Sequence, residues 1–170
     1  NVTEGNIIVN TTDKGTVRLI LNNASISNTT TAPIKVLDAK KVILTLADNT
    51  TNTITDSSRL STEEDYSAVI YSKEDLIING NGTLNVNAGY RNGIKSTDDC
   101  IIVSGTLNIT STEDGIIGKD LCGIVAGDIN INAGSDGIKS TYDTDTTKGN
   151  VIIEGGNITI KASNDGIQAE

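Results

Sequence analysis

The sequence has no histidine, methionine, tryptophan or phenylalanine, a single proline, and four tyrosines as its only aromatic residues. Each absence excludes something. Without histidine there is no imidazole base and no imidazole ligand, which removes serine-protease triads and histidine-based zinc sites. Without phenylalanine or tryptophan, a core must be assembled from isoleucine, valine and leucine. Side chains of that kind, set among many threonines and asparagines, favour strands over helices. Positive charge is also short: 13 Lys and Arg stand against 22 Asp and Glu, a formal net charge of −9. An acidic chain lacks the basic face that nucleic acid and anionic membranes require. No apolar run approaches the roughly 18–20 residues of a bilayer-spanning helix, so no membrane insertion is expected. Two cysteines in 170 residues do not make a disulfide scaffold. No signal peptide is visible, which fits either a cytosolic chain or a processed one.

What the sequence does have is repetition. Asn92-Gly93-Ile94, Asp114-Gly115-Ile116, Asp136-Gly137-Ile138 and Asp165-Gly166-Ile167 are copies of one marker, and their residue numbers give spacings of 22, 22 and 29. A second marker runs beside it: Gly82-Thr83-Leu84-Asn85-Val86, Gly105-Thr106-Leu107-Asn108-Ile109, Gly127-Asp128-Ile129-Asn130-Ile131 and Gly156-Asn157-Ile158-Thr159-Ile160. A third apolar stretch completes each unit, at 76–78, 100–103, 122–125 and 151–153. Each unit therefore holds three short alternating strands joined by turns rich in Gly, Asp, Asn and Ser. Such strands cannot stand alone, and stacking copies buries one continuous apolar column. The expected fold is all-β: a single-stranded, right-handed parallel β-helix of about 22 residues per coil, three strands per coil, formed by one domain over 1–170. The longer final spacing places a corner loop within 142–149, and 56–65 reads as a second polar excursion. The chain stops just after a marker, so a missing C-terminal coil or cap, or an end covered by another chain, is expected.

Stacking converts spacing into columns. Ile34, Ile70, Ile94, Ile116, Ile138 and Ile167 form an inward ladder. The residues after them, Lys35, Tyr71, Lys95, Ile117, Lys139 and Gln168, alternate outward. Lysines in that row make a basic stripe suited to an extended polysaccharide, or merely a solvated face blunted by charge. Tyr90, Arg91 and Tyr142 lie at turns beside it, and a tyrosine can stack on a sugar ring. Aspartates flank the same strand. Asp114, Asp136 and Asp165 precede it; Asp98, Asp99, Asp120, Asp143 and Asp145 follow it, and all of these but Asp99 are the expected metal ligands. Carboxylates one strand spacing apart repel, so a proton, solvent or a cation must intervene. Calcium, which takes six to eight oxygens and needs no histidine, is the preferred cation. The plain alternative is Asp-Gly turn chemistry, with glycine supplying unusual dihedrals. Cys100 and Cys122 match in position and should stack inward on adjacent coils. Two buried thiols are expected there ahead of a bond.

The order of segments 22–27, 32–34, 41–47, 81–84, 114–120, 135–140, 148–156 and 164–170 resembles a bacterial family of secreted carbohydrate-binding domains. The likeness runs from about residue 15 to the end. That family includes clostridial surface proteins that bind cellulose and acidic sugars. The resemblance implies a right-handed parallel β-helix of the pectate-lyase kind, bound calcium, and secretion or display at the cell surface. It also implies plant cell-wall polysaccharide, cellulose or polygalacturonate, as partner. Members often carry Arg where this chain has Ile117.

Three functions remain in view. The first is a non-catalytic, calcium-binding carbohydrate module in which Lys35, Tyr71, Lys95 and Lys139 line the polymer track. The second is a calcium-dependent lyase working by β-elimination. Its base would be Lys95, Lys139 or Arg91, although acidic surroundings should raise a lysine pKa rather than lower it. The third is a structural solenoid of the adhesin type, with end-to-end or swapped self-association.

Overall fold

The computed structural model describes residues 1–13, 15–57 and 66–170. Among these residues there is no α-helix, and the chain winds through three parallel sheets. The first sheet runs in the order β1 (Val2–Thr3), β4 (Ser25–Asn28), β7 (Thr51–Asp56), β10 (Thr83–Ala88), β13 (Thr106–Ser111), β16 (Asp128–Ala133) and β19 (Asn157–Ala162). The second runs β2 (Ile7–Asn10), β5 (Ile34–Asp38), β8 (Ala68–Ser72), β11 (Asn92–Ser96), β14 (Ile116–Gly118), β17 (Ile138–Ser140) and β20 (Ile167–Gln168). The third runs β3 (Thr16–Leu21), β6 (Lys41–Leu46), β9 (Asp75–Gly80), β12 (Asp99–Ile102), β15 (Leu121–Ile124) and β18 (Asn150–Ile153). Strands three apart in sequence pair with one another, as a solenoid of three strands per coil requires.

The register is the one the repeats imply. Ile34 pairs with Ile70, Ile70 with Ile94, and the ladder continues through Ile116 and Ile138 to Ile167. The first five are at most 1% exposed, whereas Ile167 is 48% exposed on the last strand. Burying a side chain of this size is worth about 1.5–3 kcal/mol, so the ladder is a principal source of cohesion between coils. The long corner falls between β17 and β18 as expected, while 58–65, most of the upstream excursion, lies outside the described residues.

Glycine in the Asx-Gly-Ile marker is needed for space and not, as the turn reading held, for its dihedral freedom. Gly93, Gly115 and Gly137 are absent from the positive-φ residues, which do include Gly105, Gly127 and Gly156 of the second marker. A Cβ on Gly93 would lie 2.6 Å from the carbonyl oxygen of Gly115, and one on Gly115 would lie 2.5 Å from that of Gly137. The Gly93 N–H donates to the Asp114 carbonyl at 3.0 Å, and the Gly115 N–H to the Asp136 carbonyl at 2.9 Å. The marker is thus a point of close approach repeated from coil to coil.

Cys100 pairs with Cys122 across adjacent parallel strands, and both are fully buried free thiols. Burial pushes both thiols up, Cys122 to about 12 and Cys100 well above its usual value, so neither is a reactive thiolate.

Two glycine substitutions separate close approach from mere helical or strand propensity. Gly115→Ala forces a methyl group against backbone and should cost about 1–3 kcal/mol. Gly123→Ala faces outward with its nearest neighbour 3.5 Å away and should leave stability almost unchanged. Chemical denaturation of both variants checks the pair; equal losses would remove the close-approach explanation.

Candidate functional site

The corner between the first and second sheets carries a ladder of carboxamide and carboxylate side chains. The N–H of Asp114 donates to Asn92 Oδ1 at 3.0 Å, that of Asp136 to Asp114 Oδ1 at 2.9 Å, and that of Asp165 to Asp136 Oδ1 at 3.0 Å. Asp136 is 1% exposed; its Oδ1 also accepts from Asn164 Nδ2 at 2.7 Å, and its Oδ2 meets Lys139 Nζ at 3.1 Å. Burial works against ionisation of Asp136, yet the Asp165 N–H, the Lys139 ammonium and the Asn164 amide hold its carboxyl below the usual value. Asp114 and Asp136 thus serve chain turns, each side chain holding the next coil's backbone.

The opposite corner, between the second and third sheets, is different. Here Asp75, Asp98 and Asp99 each present a carboxylate oxygen within 4.8 Å of the others. Asp120 lies on the next coil, its N–H donating to the Asp98 carbonyl at 3.3 Å, and its side chain shares a hydrogen bond with Asp98. Burial and the charges of Asp75 and Asp120 push Asp98 up to about 6, and burial with Asp75 also raises Asp99. Mutual repulsion of this kind is what a hard cation with oxygen ligands relieves. Lys148 pairs with Asp120 and is lifted above its usual value by it.

The seven aspartates expected to hold metal therefore fall into three groups. Asp98 and Asp120 meet at the acidic corner. Asp114, Asp136 and Asp165 belong to the turn ladder. Asp143 and Asp145 lie on the exposed loop between β17 and β18, where Asp145 Oδ1 accepts from the N–H and hydroxyl of Thr147 at 2.9 and 2.7 Å. Asp75 and Asp99 complete the acidic corner: Asp99 was expected to flank the strand but not to be a ligand, and Asp75 was missed altogether. The signal was present: Asp75 precedes Leu76 as Asp99 precedes Cys100, and Leu76 pairs with Cys100.

The outward row of the second sheet keeps its register, with Lys35 beside Tyr71, Tyr71 beside Lys95, Lys95 beside Ile117 and Ile117 beside Lys139. It is not the open stripe that alternation implies. Lys35 is 9% exposed, Tyr71 6% and Ile117 3%. For Lys35 and Tyr71 the physical reason is a small outer cluster in which Tyr66 packs against Ala32, Ala68 and Tyr71. Lys35 Nζ sits 4.6 Å from the Tyr66 ring centroid and donates to Thr31 Oγ1 at 3.2 Å. Half-buried Lys95 donates to Ser67 Oγ at 3.3 Å. Burial lowers the Lys95 pKa and outweighs the opposing pull of Asp114, contrary to the acid-dominated expectation. Lys139 follows that expectation: its ion pair with Asp136 raises it against burial.

The remaining candidates lie at turns. Arg91, at φ 55°, places its guanidinium 5.5 Å from the Tyr90 ring and 3.9 Å from Glu113. Tyr142 lies between Lys119 and Lys148, whose ammonium groups stand 5.0 and 4.9 Å from its ring centroid. An open cleft of about 310 Å³ adjoins it, lined also by Asp143, Asp145, Lys148 and Glu170.

Over residues 1–170 the sequence matches the family described as carbohydrate-binding domain-containing protein. The chain belongs to this family. A member from Acetivibrio thermocellus is 37% identical over 110 residues, which is 62% of this chain and 38% of that protein. The domain thus spans well under half the length of this relative. Among solved structures, it is similar to a polysaccharide lyase-like protein from C. thermocellum, a gadolinium derivative, with a TM-score of 0.91 and 32% identity over 99% of this chain and 78% of that one.

The acidic corner has a pH signature. Because Asp98 binds its proton more tightly folded than unfolded, it removes stability as pH rises from about 4 to about 6, with no further loss above that. In chelator, Asp98→Asn should therefore gain on the wild type in melting temperature across that window and hold a constant lead above it. A lead that does not change with pH would show that these carboxylates do not repel.

Proposed function

We propose that this domain is a non-catalytic polysaccharide-binding module that holds calcium at the acidic corner and engages acidic polysaccharide beside it. Membership in a carbohydrate-binding family supports the polysaccharide partner. The convergence of Asp75, Asp98 and Asp99 is the observation that carries the calcium site. Each of the three carboxylates would offer an oxygen to the ion, with Asp120 next to them, and the ion would neutralise a corner that otherwise repels a uronate. Lys95, on the outer face of the second sheet in the coil of Asp98 and Asp99, and Lys139, two coils further on, supply ammonium groups for uronate carboxylates. Lys119 and Lys148 flank Tyr142 and add a second basic spot. Polygalacturonate is the acidic polymer this chemistry fits. Secretion or display at the cell surface belongs to the same reading, as does end-to-end or swapped association of copies.

One observation favours a second reading, a calcium-dependent lyase. Burial lowers the Lys95 pKa, which is the direction a proton-abstracting base requires. Steady formation of unsaturated product from polygalacturonate, with calcium at alkaline pH and lost in Lys95→Ala, would establish it.

Under the binding reading, calcium raises the melting temperature and supports retention on polygalacturonate. Chelation and Asp98→Asn should each weaken both effects. A melting curve and retention indifferent to calcium and to Asp98→Asn would overturn the calcium site.

A further inference from the structure

The outer face of the third sheet is lined with aliphatic side chains. Its central row runs Arg18, Ile43, Ile77, Ile101, Gly123 and Ile152, one residue per coil. A second outward row begins with Ile20, Thr45 and Asn79. It continues through Val103, Val125 and Glu154, whose N–H groups each donate to the preceding coil at 2.8 Å. Ile20, Val103, Val125 and Ile152 are all exposed. The sequence carries the same signal: Val42-Ile43-Leu44, Leu76-Ile77-Ile78 and Val151-Ile152-Ile153 are unbroken apolar runs. Parallel strands read this way when both faces of their sheet are covered. Here the inner face packs on the solenoid core, and the outer face stands open.

Two further features give this face a shape and a polarity. Gly123 interrupts the isoleucine row and leaves a notch of about 120 Å³, bordered by Ile101, Leu121, Val125 and Ile152 with Glu154 at its rim. A Cβ on Gly123 would meet nothing nearer than Ile101 at 3.5 Å, so the chain itself does not fill the notch. Charge is divided along the solenoid axis. Arg18 and Lys41 stand on the first two strands of the sheet, β3 and β6. Asp75 and Asp99 open β9 and β12, and Glu154 follows β18. The basic end of the face thus lies away from its acidic end.

We propose that this face is the interface of a homodimer, in which two copies pack third sheet against third sheet with their solenoid axes antiparallel. A two-fold axis along the strands sets the first strand of the sheet opposite the sixth, the second opposite the fifth, and the third opposite the fourth. Ile77 then meets Ile101 of the second copy at the centre, and Ile43 enters the notch over Gly123. Arg18 comes opposite Ile152, within reach of Glu154. Lys41 comes opposite Leu121, between its own Asp75 and the second copy's Asp99. Each contact occurs twice, as an isologous interface requires. Parallel axes would instead set Gly123 against Gly123 and Arg18 against Arg18, which leaves a void and opposes like charges. The sheet has six strands of four to six residues. At a spacing of about 4.8 Å their footprint is about 500 Å² per copy, near the roughly 1,000 Å² total of the smallest specific interfaces. Such a dimer has a dissociation constant in about the micromolar range. This packing is side to side, not through the solenoid ends, and it is independent of the polysaccharide and calcium readings.

Sedimentation equilibrium in chelator tests the proposal, over about 1 to about 500 μM protein. Wild type should pass from the mass of one copy to the mass of two. Gly123→Leu fills the notch and at the same time adds apolar surface. It should weaken the dimer about tenfold or more, whereas unspecific apolar association would tighten. Arg18→Glu and Glu154→Arg, both at exposed positions, should each weaken the dimer by a similar factor. The double variant restores opposite charges across the interface and should recover wild-type association. Melting temperatures at low concentration should match the wild type; if Gly123→Leu lowers its own, the charge pair decides. A wild type that stays monomeric throughout, or that grows beyond two copies, overturns the proposal. So does a dimer that a folded Gly123→Leu leaves unchanged or tightens. Failure of the double variant to recover overturns the antiparallel arrangement and the proposal with it.

Discussion

Everything in this molecule depends on how closely one coil can approach the next at the Asx-Gly-Ile marker. There the backbone of one coil passes over the glycine of its neighbour at a distance that excludes a Cβ. The residue before the glycine accepts the next coil's N–H, and the residue after it drops into the isoleucine ladder. Spacing, hydrogen bonding and apolar burial are thus enforced by three consecutive residues. Once that contact is made, register elsewhere in the coil follows. Every outward residue then meets its equivalent on the next coil, and any chemistry on the surface comes in rows.

Rows have opposite consequences for different side chains. Stacked asparagines satisfy one another and become ordered. Stacked aspartates repel unless a backbone N–H, an ammonium or a cation comes between them. The two acidic corners show both outcomes. At the first, Asp114 and Asp136 face N–H groups of the next coil, and Asp136 is held ionised. At the second, Asp75, Asp98 and Asp99 face one another, and Asp98 resists ionisation. The same residue type ties coils together at one corner and crowds against its own kind at the other because of what the neighbouring coil offers it.

The fold was legible because a solenoid writes its contacts into sequence period. The strand phases, the isoleucine ladder, the Cys100–Cys122 adjacency and the corner loop after Ser140 all follow from aligning copies. The site was legible only in part. Aspartates were readable as corner residues, but period alone does not say whether Asp114 faces an N–H or another carboxylate. Asp75 escaped because its coil lacks the glycine marker and must be phased through the third-sheet strand. Alternation correctly sent Lys35 and Tyr71 out of the core, yet it carries no information about Tyr66, which folds over them from outside the repeat.

The marker also bears on how the chain acquires its shape. The ties between coils in the Asx ladder join residues only 22 or 29 positions apart. Closing loops of that length carries a modest entropy cost, and the cost does not grow as the solenoid lengthens. Assembly can therefore proceed as a front, each new coil templated by the one before it, with no need for distant ends to meet. A growing chain folded in this way would exchange one exposed coil face for another at each step.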